Sequence, residues 1–355
     1  MASVIRSVVV PKVAGDVSRA GRRLTNGIRY LAGEKLGEVA ATPRTTVWQH
    51  HNVSLHKYPS VLESGLPPVL IVHSLVSLPY VFDLQPGSSL VEDLTGAGYD
   101  VYLLDWGVPR AVDAANTLET YCDDYIPAAI DEVLTDSGSL DLEVIGYCLG
   151  AVLAALAIAG NDDLPVRSLV MLAPPVDFTK MHITENLLGS GRVDPASLLD
   201  ETGNVPPATL MAGFRMLAPT SDLKTAVNVW HGLQDQAQLH ALTNLLAWSS
   251  THIPFPGAAF RQMIDLFLRK GALVAGTVPL GGRDVRLADV RARVLVVTGE
   301  RDFMVPPEAT APVDAAFAPV RLAHLQLPAG HAGLFVGRSA RKHCVPSIIG
   351  WLEGR

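Results

Sequence analysis

Short apolar runs alternate with longer stretches of helical character along most of this chain. Six runs are predicted to be strands because they are short and rich in Val, Ile and Leu: 69–73, 99–104, 142–146, 168–172, 293–298 and Leu322–Leu327. Apolar runs without polar alternation are typical of strands that are buried on both faces of a sheet. The pattern therefore predicts an α/β fold in which helices cover both faces of a mostly parallel sheet.

The pattern changes between residues 178 and 287. No buried strand is predicted there, prolines and glycines recur, and the remaining stretches have helical character. We interpret this region as a helical cap inserted over the carboxyl edge of the sheet. The predicted domains are a core formed by residues 44–177 and 288–355, the cap 178–287, and a basic amino-terminal segment 1–43.

Composition and charge exclude several classes of protein. The 355 residues are 48% hydrophobic and 18% charged, with a net charge of -7. This balance argues against a disordered chain and against a nucleic-acid binder that relies on bulk positive charge. The first 35 residues differ, because they contain seven basic and two acidic side chains. That stretch is either a solvated helix face or a weakly adhesive face for a lipid or polymer surface.

The number and spacing of the cysteines favour a reducing compartment over a disulfide-stabilised fold. Cys122, Cys148 and Cys344 are widely spaced and form no C-x-x-C pair, which favours neither a disulfide framework nor a cysteine-based metal site. We therefore expect a reducing cytoplasm and no signal peptide. The uncharged run 144–160 is predicted to be a strand, a tight turn and a buried helix, and no transmembrane segment is expected.

The candidate chemistry is concentrated at the end of the strand 142–146. There the chain reads Gly-Tyr-Cys-Leu-Gly, with Cys148 at its centre, and then opens an Ala-rich helix. This is the G-x-nucleophile-x-G elbow with cysteine in the position of the usual serine. Glycine is required two residues before and after the nucleophile because the tight turn leaves no room for side chains. Cys148 is therefore the predicted nucleophile, against the simpler interpretation of a buried structural cysteine.

An elbow nucleophile needs an orienting acid and a base, which follow it along the chain in that order. His331 lies in a glycine-flanked loop after the last predicted strand, and Asp302 follows the strand before it. We prefer Asp302 as the acid because a Met-Val-Pro sequence follows it and stiffens its loop. Asp177, after another strand, and Glu300, on the same loop as Asp302, remain alternatives.

Two backbone N–H groups are predicted to bind a developing oxyanion. Leu149 is the first residue after the nucleophile, at the amino end of a helix that favours negative charge. Val76 lies in the loop after an early strand, where a second donor is expected. His331 would take the proton of the Cys148 thiol, while Asp302 would hold the imidazole tautomer and stabilise the imidazolium.

Longer motifs resemble the polyhydroxyalkanoate synthase family, in particular its short, two-subunit class III catalytic chains. The similar segments are 70–76, 79–80, 83–90, 100–107, 174–178, 260–262 and 330–336. The resemblance extends from about residue 44 to the end of the chain.

This resemblance implies an α/β-hydrolase fold with a cap and a triad of Cys148, His331 and Asp302. It implies an acyltransferase that polymerises 3-hydroxyacyl-CoA into polyhydroxyalkanoate through a Cys-linked thioester and releases CoA. The implied partners are that substrate, a polyester granule surface in the cytoplasm, and a second synthase subunit or a homodimer. No cofactor, metal or nucleic acid is expected. A Cys-dependent thioesterase or ester hydrolase, and a catalytically weak granule-binding homologue, remain alternatives.

Several positions around the predicted site depart from the family pattern. Leu149 follows the nucleophile where the family usually has glutamine, Ser77 replaces an asparagine, and Phe303 replaces a polar residue beside the acid. Thr251 stands where the family has an aspartate in the cap. Because chain growth needs a hydroxyl held in line with the acyl group, we expect acylation of Cys148 to survive and elongation to be weakened.

Overall fold

The computed structural model describes residues 39–62, 64–181, 188–217, 236–317, 322–337 and 340–354. Nearly all of the segment 1–43 and parts of the predicted cap therefore lie outside the described residues. The strands are β1 (Thr45–His50), β2 (Val53–Tyr58), β3 (Val69–Val72), β4 (Asp83–Gln85), β5 (Ser88–Ser89), β6 (Val101–Asp105), β7 (Leu142–Tyr147), β8 (Val166–Leu172), β9 (Asn204–Val205), β10 (Phe255–Pro256), β11 (Thr277–Leu280), β12 (Arg283–Arg286), β13 (Arg293–Gly299) and β14 (Leu322–Leu327). The helices are α1 (Leu90–Gly96), α2 (Ile126–Ser137), α3 (Leu149–Gly160), α4 (Pro207–Leu217), α5 (Gln236–Ser249), α6 (Gly257–Met263), α7 (Pro307–Thr310), α8 (Val313–Ala316) and α9 (Val345–Leu352).

Eight strands form the central sheet, in the order β1-β2-β6-β3-β7-β8-β13-β14. The hairpin β1–β2 is antiparallel to its neighbour β6, and the strands from β6 to β14 in this order are parallel. Each of the six predicted strands is present, with ends that differ by no more than two residues. The predicted α/β fold with a mostly parallel sheet is therefore confirmed.

The hairpins β1–β2 and β11–β12 are among the elements absent from the sequence prediction. β1 is largely exposed and β2 buries three of its six residues, so neither contains a continuous apolar run. The second hairpin, β11–β12, buries Val278, Leu280 and Val285, and it packs against α3. The expectation of no buried strand between residues 178 and 287 is therefore wrong. The physical reason is that edge strands and isolated hairpins bury one face and lack the signal of a central strand.

Helix α3 is buried on all sides, which explains why it is apolar throughout its length. It follows β7 after a single residue, so the run 144–160 forms the predicted strand, turn and helix. In the described part of the chain, no helix combines the length and the apolar character that crossing a membrane requires.

Part of the predicted cap lies against the loop that follows β3. The Trp248 Nε1–H of α5 donates to the carbonyl of Leu78 at 2.7 Å, and Asn244 Nδ2 donates to Gln85 Oε1 at 2.9 Å. β3 is parallel to its neighbours, so this loop lies at the carboxyl edge of the sheet. The contacts place α5 at that edge, while the boundaries of the cap as a domain stay a prediction.

Candidate active site

Cys148 occupies the single-residue turn between β7 and α3. Its φ of 54° and ψ of -126° lie where few non-glycine residues are found, and such a conformation costs roughly 1–3 kcal/mol. The Cys148 N–H donates to the carbonyl of Leu172 at 2.8 Å, and the Cys148 carbonyl accepts from the Ala151 N–H at 3.0 Å. The neighbouring strand and the first turn of α3 therefore hold this conformation.

The two glycines of the elbow are required by contacts with backbone atoms. A Cβ atom on Gly146 would lie 2.4 Å from the Cα atom of Ala151. A Cβ atom on Gly150 would lie 2.4 Å from the carbonyl oxygen of His73, at the end of β3. Side chains at these positions would force β7, α3 and β3 apart, which agrees with the steric reason for expecting glycine.

Asp302 lies in the loop after β13, and its carboxylate is fixed by three hydrogen bonds. Asp302 Oδ1 accepts the N–H groups of Met304 and Val305, both at 2.9 Å, and Oδ2 accepts Nδ1–H of His331 at 2.6 Å. The Asp302 N–H itself donates to the carbonyl of Gly299 at 3.1 Å. The carboxylate is 3% exposed, so the loop presents one fully oriented anion to the imidazole.

His331 lies between Asp302 and Cys148. Burial acts to lower the pKa of its imidazole, but the charge and hydrogen bond of Asp302, together with the hydrogen bond to the Cys148 side chain, outweigh it and raise the pKa to about 10. Because Nδ1 bonds to Asp302, Nε2 is left for the sulfur. The structure thus brings together the three residues that the sequence predicts as nucleophile, base and acid.

The two alternative acids lie in other environments. The carboxylate of Asp177 accepts the N–H and the hydroxyl of Thr179 at 2.9 Å and 2.6 Å, as the cap of a short helical turn. Glu300 is exposed at the surface. Of the three candidates, Asp302 is the one that contacts His331.

An aromatic cluster that the sequence analysis did not identify packs against His331. The Tyr147 ring lies 4.8 Å from the His331 ring and 4.8 Å from that of Phe335, and Phe82 stacks on Phe335 at 4.7 Å. Tyr147 stands inside the elbow and Phe335 lies four residues after the histidine, so their proximity in sequence to the triad is the signal that could have found them. Their rings exclude water from one side of the imidazole.

The predicted oxyanion donors lie at the same edge of the sheet as Cys148. Leu149 begins α3, and the first N–H groups of a helix have no partner within it. In the parallel ladder Val72 pairs with Gly146, so the loop from His73 to Ser77 emerges beside the elbow. The Val76 carbonyl is turned toward the predicted cap, where it accepts the Ile253 N–H at 3.3 Å. The oxyanion roles of Leu149 and Val76 remain predictions.

His73 is a second histidine beside the elbow and, unlike the part-buried His331, it is fully buried. Burial lowers its pKa to about 4, and the charge of Asp105 and the backbone of Ser74 offset this only in part. Among the described residues, neither of its ring nitrogens has a partner at hydrogen-bonding geometry. The sequence analysis treats it as an ordinary core or surface side chain, and no local pattern distinguishes it.

The described ranges contain no group of three or more His, Cys, Asp and Glu side chains that could hold a metal ion. Cys148 is half-buried, whereas Cys122 and Cys344 are buried away from it. Of the three thiols, Cys148 is the one that combines access with a histidine partner. This arrangement can carry out nucleophilic attack on an acyl group.

Comparison with known proteins finds similarity at two levels, that of the fold and that of individual related proteins. A model of the alpha/beta hydrolase fold matches residues 67–337. The poly(3-hydroxyalkanoate) polymerase subunit PhaC of Allochromatium vinosum is 31% identical over 97% of this chain and 98% of its own length. The protein of the same description from a Synechocystis species is 32% identical over 94% of this chain and 90% of its own length.

Solved structures resemble the chain in fold alone. A putative lipase from Sulfolobus solfataricus has a TM-score of 0.58 at 14% identity, covering 90% of this chain and 97% of its own. A hydrolase from Pseudomonas aeruginosa has a TM-score of 0.53 at 17% identity, covering 87% of this chain and 99% of its own.

Proposed function

This chain belongs to the poly(3-hydroxyalkanoate) polymerase family within the α/β-hydrolase superfamily, and we propose that it polymerises 3-hydroxyacyl-CoA, with release of CoA. It is an enzyme of the α/β-hydrolase type whose named relatives are polymerases. The observation that carries the proposal is an elbow cysteine whose side chain interacts with His331, which is hydrogen-bonded in turn to Asp302 at 2.6 Å.

The first proposed step is acylation of Cys148. His331 Nε2 takes the proton of the thiol, and the sulfur attacks the carbonyl carbon of the acyl-CoA thioester. Asp302 stabilises the imidazolium that forms, in keeping with the raised pKa of His331. The tetrahedral oxyanion is placed to accept the N–H groups of Leu149 and Val76. Its collapse breaks the bond to the CoA sulfur, which leaves with the proton from His331.

The second proposed step is ester formation. His331 takes the proton of the hydroxyl of another 3-hydroxyacyl unit, and the oxygen attacks the acyl carbon held on Cys148. The carbon–sulfur bond breaks, and the Cys148 sulfur regains a proton from His331. Because the first step exchanges one thioester for another, the acyl-enzyme is close in free energy to the substrate and remains reactive in the next step. Exclusion of water from the acyl-enzyme then decides between ester formation and hydrolysis.

Exclusion of water has support in the packing around the triad. The aromatic cluster of Phe82, Tyr147 and Phe335 covers one side of His331, and α5 lies over the loop after β3. Phe303, beside Asp302, is 55% exposed and adds an apolar ring next to the acid. We propose that these groups favour an acyl chain over water at the site.

One assay tests the proposed function. The purified chain is incubated with 3-hydroxybutyryl-CoA, and free CoA and insoluble polyester are measured separately. We expect both products, with an acyl adduct on Cys148 detectable by mass spectrometry because elongation is the slower step. CoA release without polyester would replace the proposal with a thioesterase, and the absence of CoA release would favour a non-catalytic granule-binding chain.

The granule surface and a second subunit, or a homodimer, are proposed partners on the strength of the family alone. Light scattering during turnover, at a series of protein concentrations, tests them. A lag before the scattering rises that shortens at higher protein concentration would support self-association. A lag that is abolished only when a second chain is added would support a second subunit.

A further inference from the structure

A short segment after α5, residues 251–253, connects the predicted cap to the loop that carries Val76, and we call this segment the strap. Ser77 and His252 form an isolated antiparallel bridge. The Val76 carbonyl accepts the Ile253 N–H at 3.3 Å and lies 3.2 Å from His252 Nδ1. His252 is part-buried, and its ring packs against that of Phe214 at a centroid distance of 5.0 Å. One carbonyl of the loop is thus held by two donors from the strap.

Holding this carbonyl restricts the direction of the neighbouring N–H group. The Val76 carbonyl shares a rigid peptide plane with the Ser77 N–H, and only the two torsions of Val76 separate this plane from the Val76 N–H. Because β3 fixes the other end of this short loop at Val72, holding the plane restricts the range of both torsions. The carbonyl is turned toward the strap, while the loop itself emerges beside the elbow because Val72 pairs with Gly146. The strap therefore controls the orientation of the loop that faces the nucleophile.

We propose that His252 is a positioning residue for acyl transfer: its Nδ1–H donates to the Val76 carbonyl and thereby orients the Val76 N–H toward the oxyanion. The inference rests on the proposed function, since it assigns a role at the same site. Burial lowers the pKa of His252, and a neutral ring with its proton on Nδ1 is the form that makes this bond.

Two reactions of Cys148 distinguish the loss of an oriented donor from a general disturbance of the fold. Acylation by p-nitrophenyl butyrate passes through an oxyanion. Its rate is measured from the nitrophenolate that is released in the first turnover. Alkylation by iodoacetamide displaces iodide at a saturated carbon and forms no oxyanion. Loss of an oriented donor should slow only the first reaction, whereas a general disturbance of the elbow should slow both.

The test compares His252→Ala with His252→Asn, whose Nδ2 stands the same number of bonds from Cα as the histidine Nδ1. We expect His252→Ala to slow acylation of Cys148 by about tenfold or more, and His252→Asn to restore it to within about threefold of the parent. Alkylation of Cys148 should be unchanged in both. Ser250→Ala is the matched control, because Ser250 directly follows α5 and its exposed hydroxyl donates to the carbonyl of Ala247 in that helix at 2.9 Å.

The outcomes are distinct. Acylation of His252→Ala at the parent's rate, or equal slowing of acylation and alkylation in it, would overturn the role of His252 and leave the proposed function intact. Failure of the parent to be acylated at Cys148 would overturn the proposed function itself. If His252→Ala does not fold, His252→Leu, which keeps the volume and lacks the donor, replaces it against His252→Asn.

Discussion

Two histidines lie beside the elbow, the part-buried His331 and the buried His73, and their environments shift the pKa of their rings in opposite directions. His331, in the loop after β14, has Asp302 at 2.6 Å and a pKa raised to about 10. His73, at the end of β3, is 1% exposed and has a pKa lowered to about 4. Burial acts to lower the pKa of both rings, so burial does not explain why the pKa of His331 is raised. A directly bonded carboxylate turns one ring into a proton carrier, and its absence keeps the other ring neutral.

The comparison assigns the chemistry to Cys148 and the His331 side of the elbow, and removing the sulfur is the strongest test of that assignment. We expect Cys148→Ala to reduce CoA release from 3-hydroxybutyryl-CoA by at least about a thousandfold, because Cys148 supplies the sulfur of the thioester. Cys148→Ser should also lose most activity, since deprotonating a hydroxyl to an alkoxide needs a stronger base than deprotonating a thiol to a thiolate. Circular dichroism and thermal unfolding serve as the folding controls. Activity of either variant near that of the parent would contradict the assignment.

Replacing each histidine in turn tests the comparison directly. We expect His331→Gln to lower the initial rate of CoA release by about a thousandfold, because base and imidazolium are both lost. His73→Leu should stay within about tenfold of the parent, since neither ring nitrogen of His73 has a hydrogen-bond partner among the described residues. Similar losses in the two variants would show that the contrast in environment does not correspond to a contrast in role.

Asp302→Asn should convert the environment of His331 toward that of His73. The amide keeps the shape and removes the charge, so we expect CoA release to fall by about a hundredfold or more and the pKa of His331 to fall. The titration of the His331 ring, followed by NMR in parent and variant, measures the second effect. A ring that still titrates near pH 10 in the variant would show that Asp302 is not its main partner.

The same pair predicts a pH dependence of stability. The folded pKa of His331 lies above its ordinary value of 6.5, so the stability it contributes is complete below pH 6.5 and is lost as the pH rises through about 10. The difference in the free energy of unfolding between the parent and Asp302→Asn should therefore shrink across that range. Urea titrations at several pH values measure this difference, and a constant difference would contradict the linkage.

The smallest expected effect concerns His73 and acid. Its folded pKa of about 4 lies below the ordinary 6.5, so the unfolded chain takes up a proton first and stability falls as the pH drops from 6.5 to 4. The residue accounts for up to about 3 kcal/mol of that fall, at 1.36 kcal/mol per pKa unit. We expect His73→Leu to unfold less readily than the parent at pH 4, relative to the difference at pH 6.5. Urea unfolding at both values tests this, and parallel curves would refute it.

Local sequence was sufficient for the central strands and for the elbow. Continuous apolar runs identify strands buried on both faces. The glycines around Cys148 are recognisable from their spacing, and the structure shows that a Cβ atom on either one would lie 2.4 Å from a backbone atom. The chain order of nucleophile, acid and histidine identified the residues that meet in space. The hairpins β1–β2 and β11–β12 were missed because half-buried strands lack a continuous signal.

Only the tertiary structure distinguished between groups that look alike in sequence. Asp302, Asp177 and Glu300 all follow strands, yet one of them contacts His331, because that choice depends on how loops from β13 and β14 meet. His73 and His331 likewise differ by a partner 29 residues away from His331 along the chain, and His252 reaches Val76 across 176 residues. Periodicity and spacing report on neighbours along the chain. The charge of a buried ring and the direction of a backbone N–H depend on neighbours in space, which packing alone brings together.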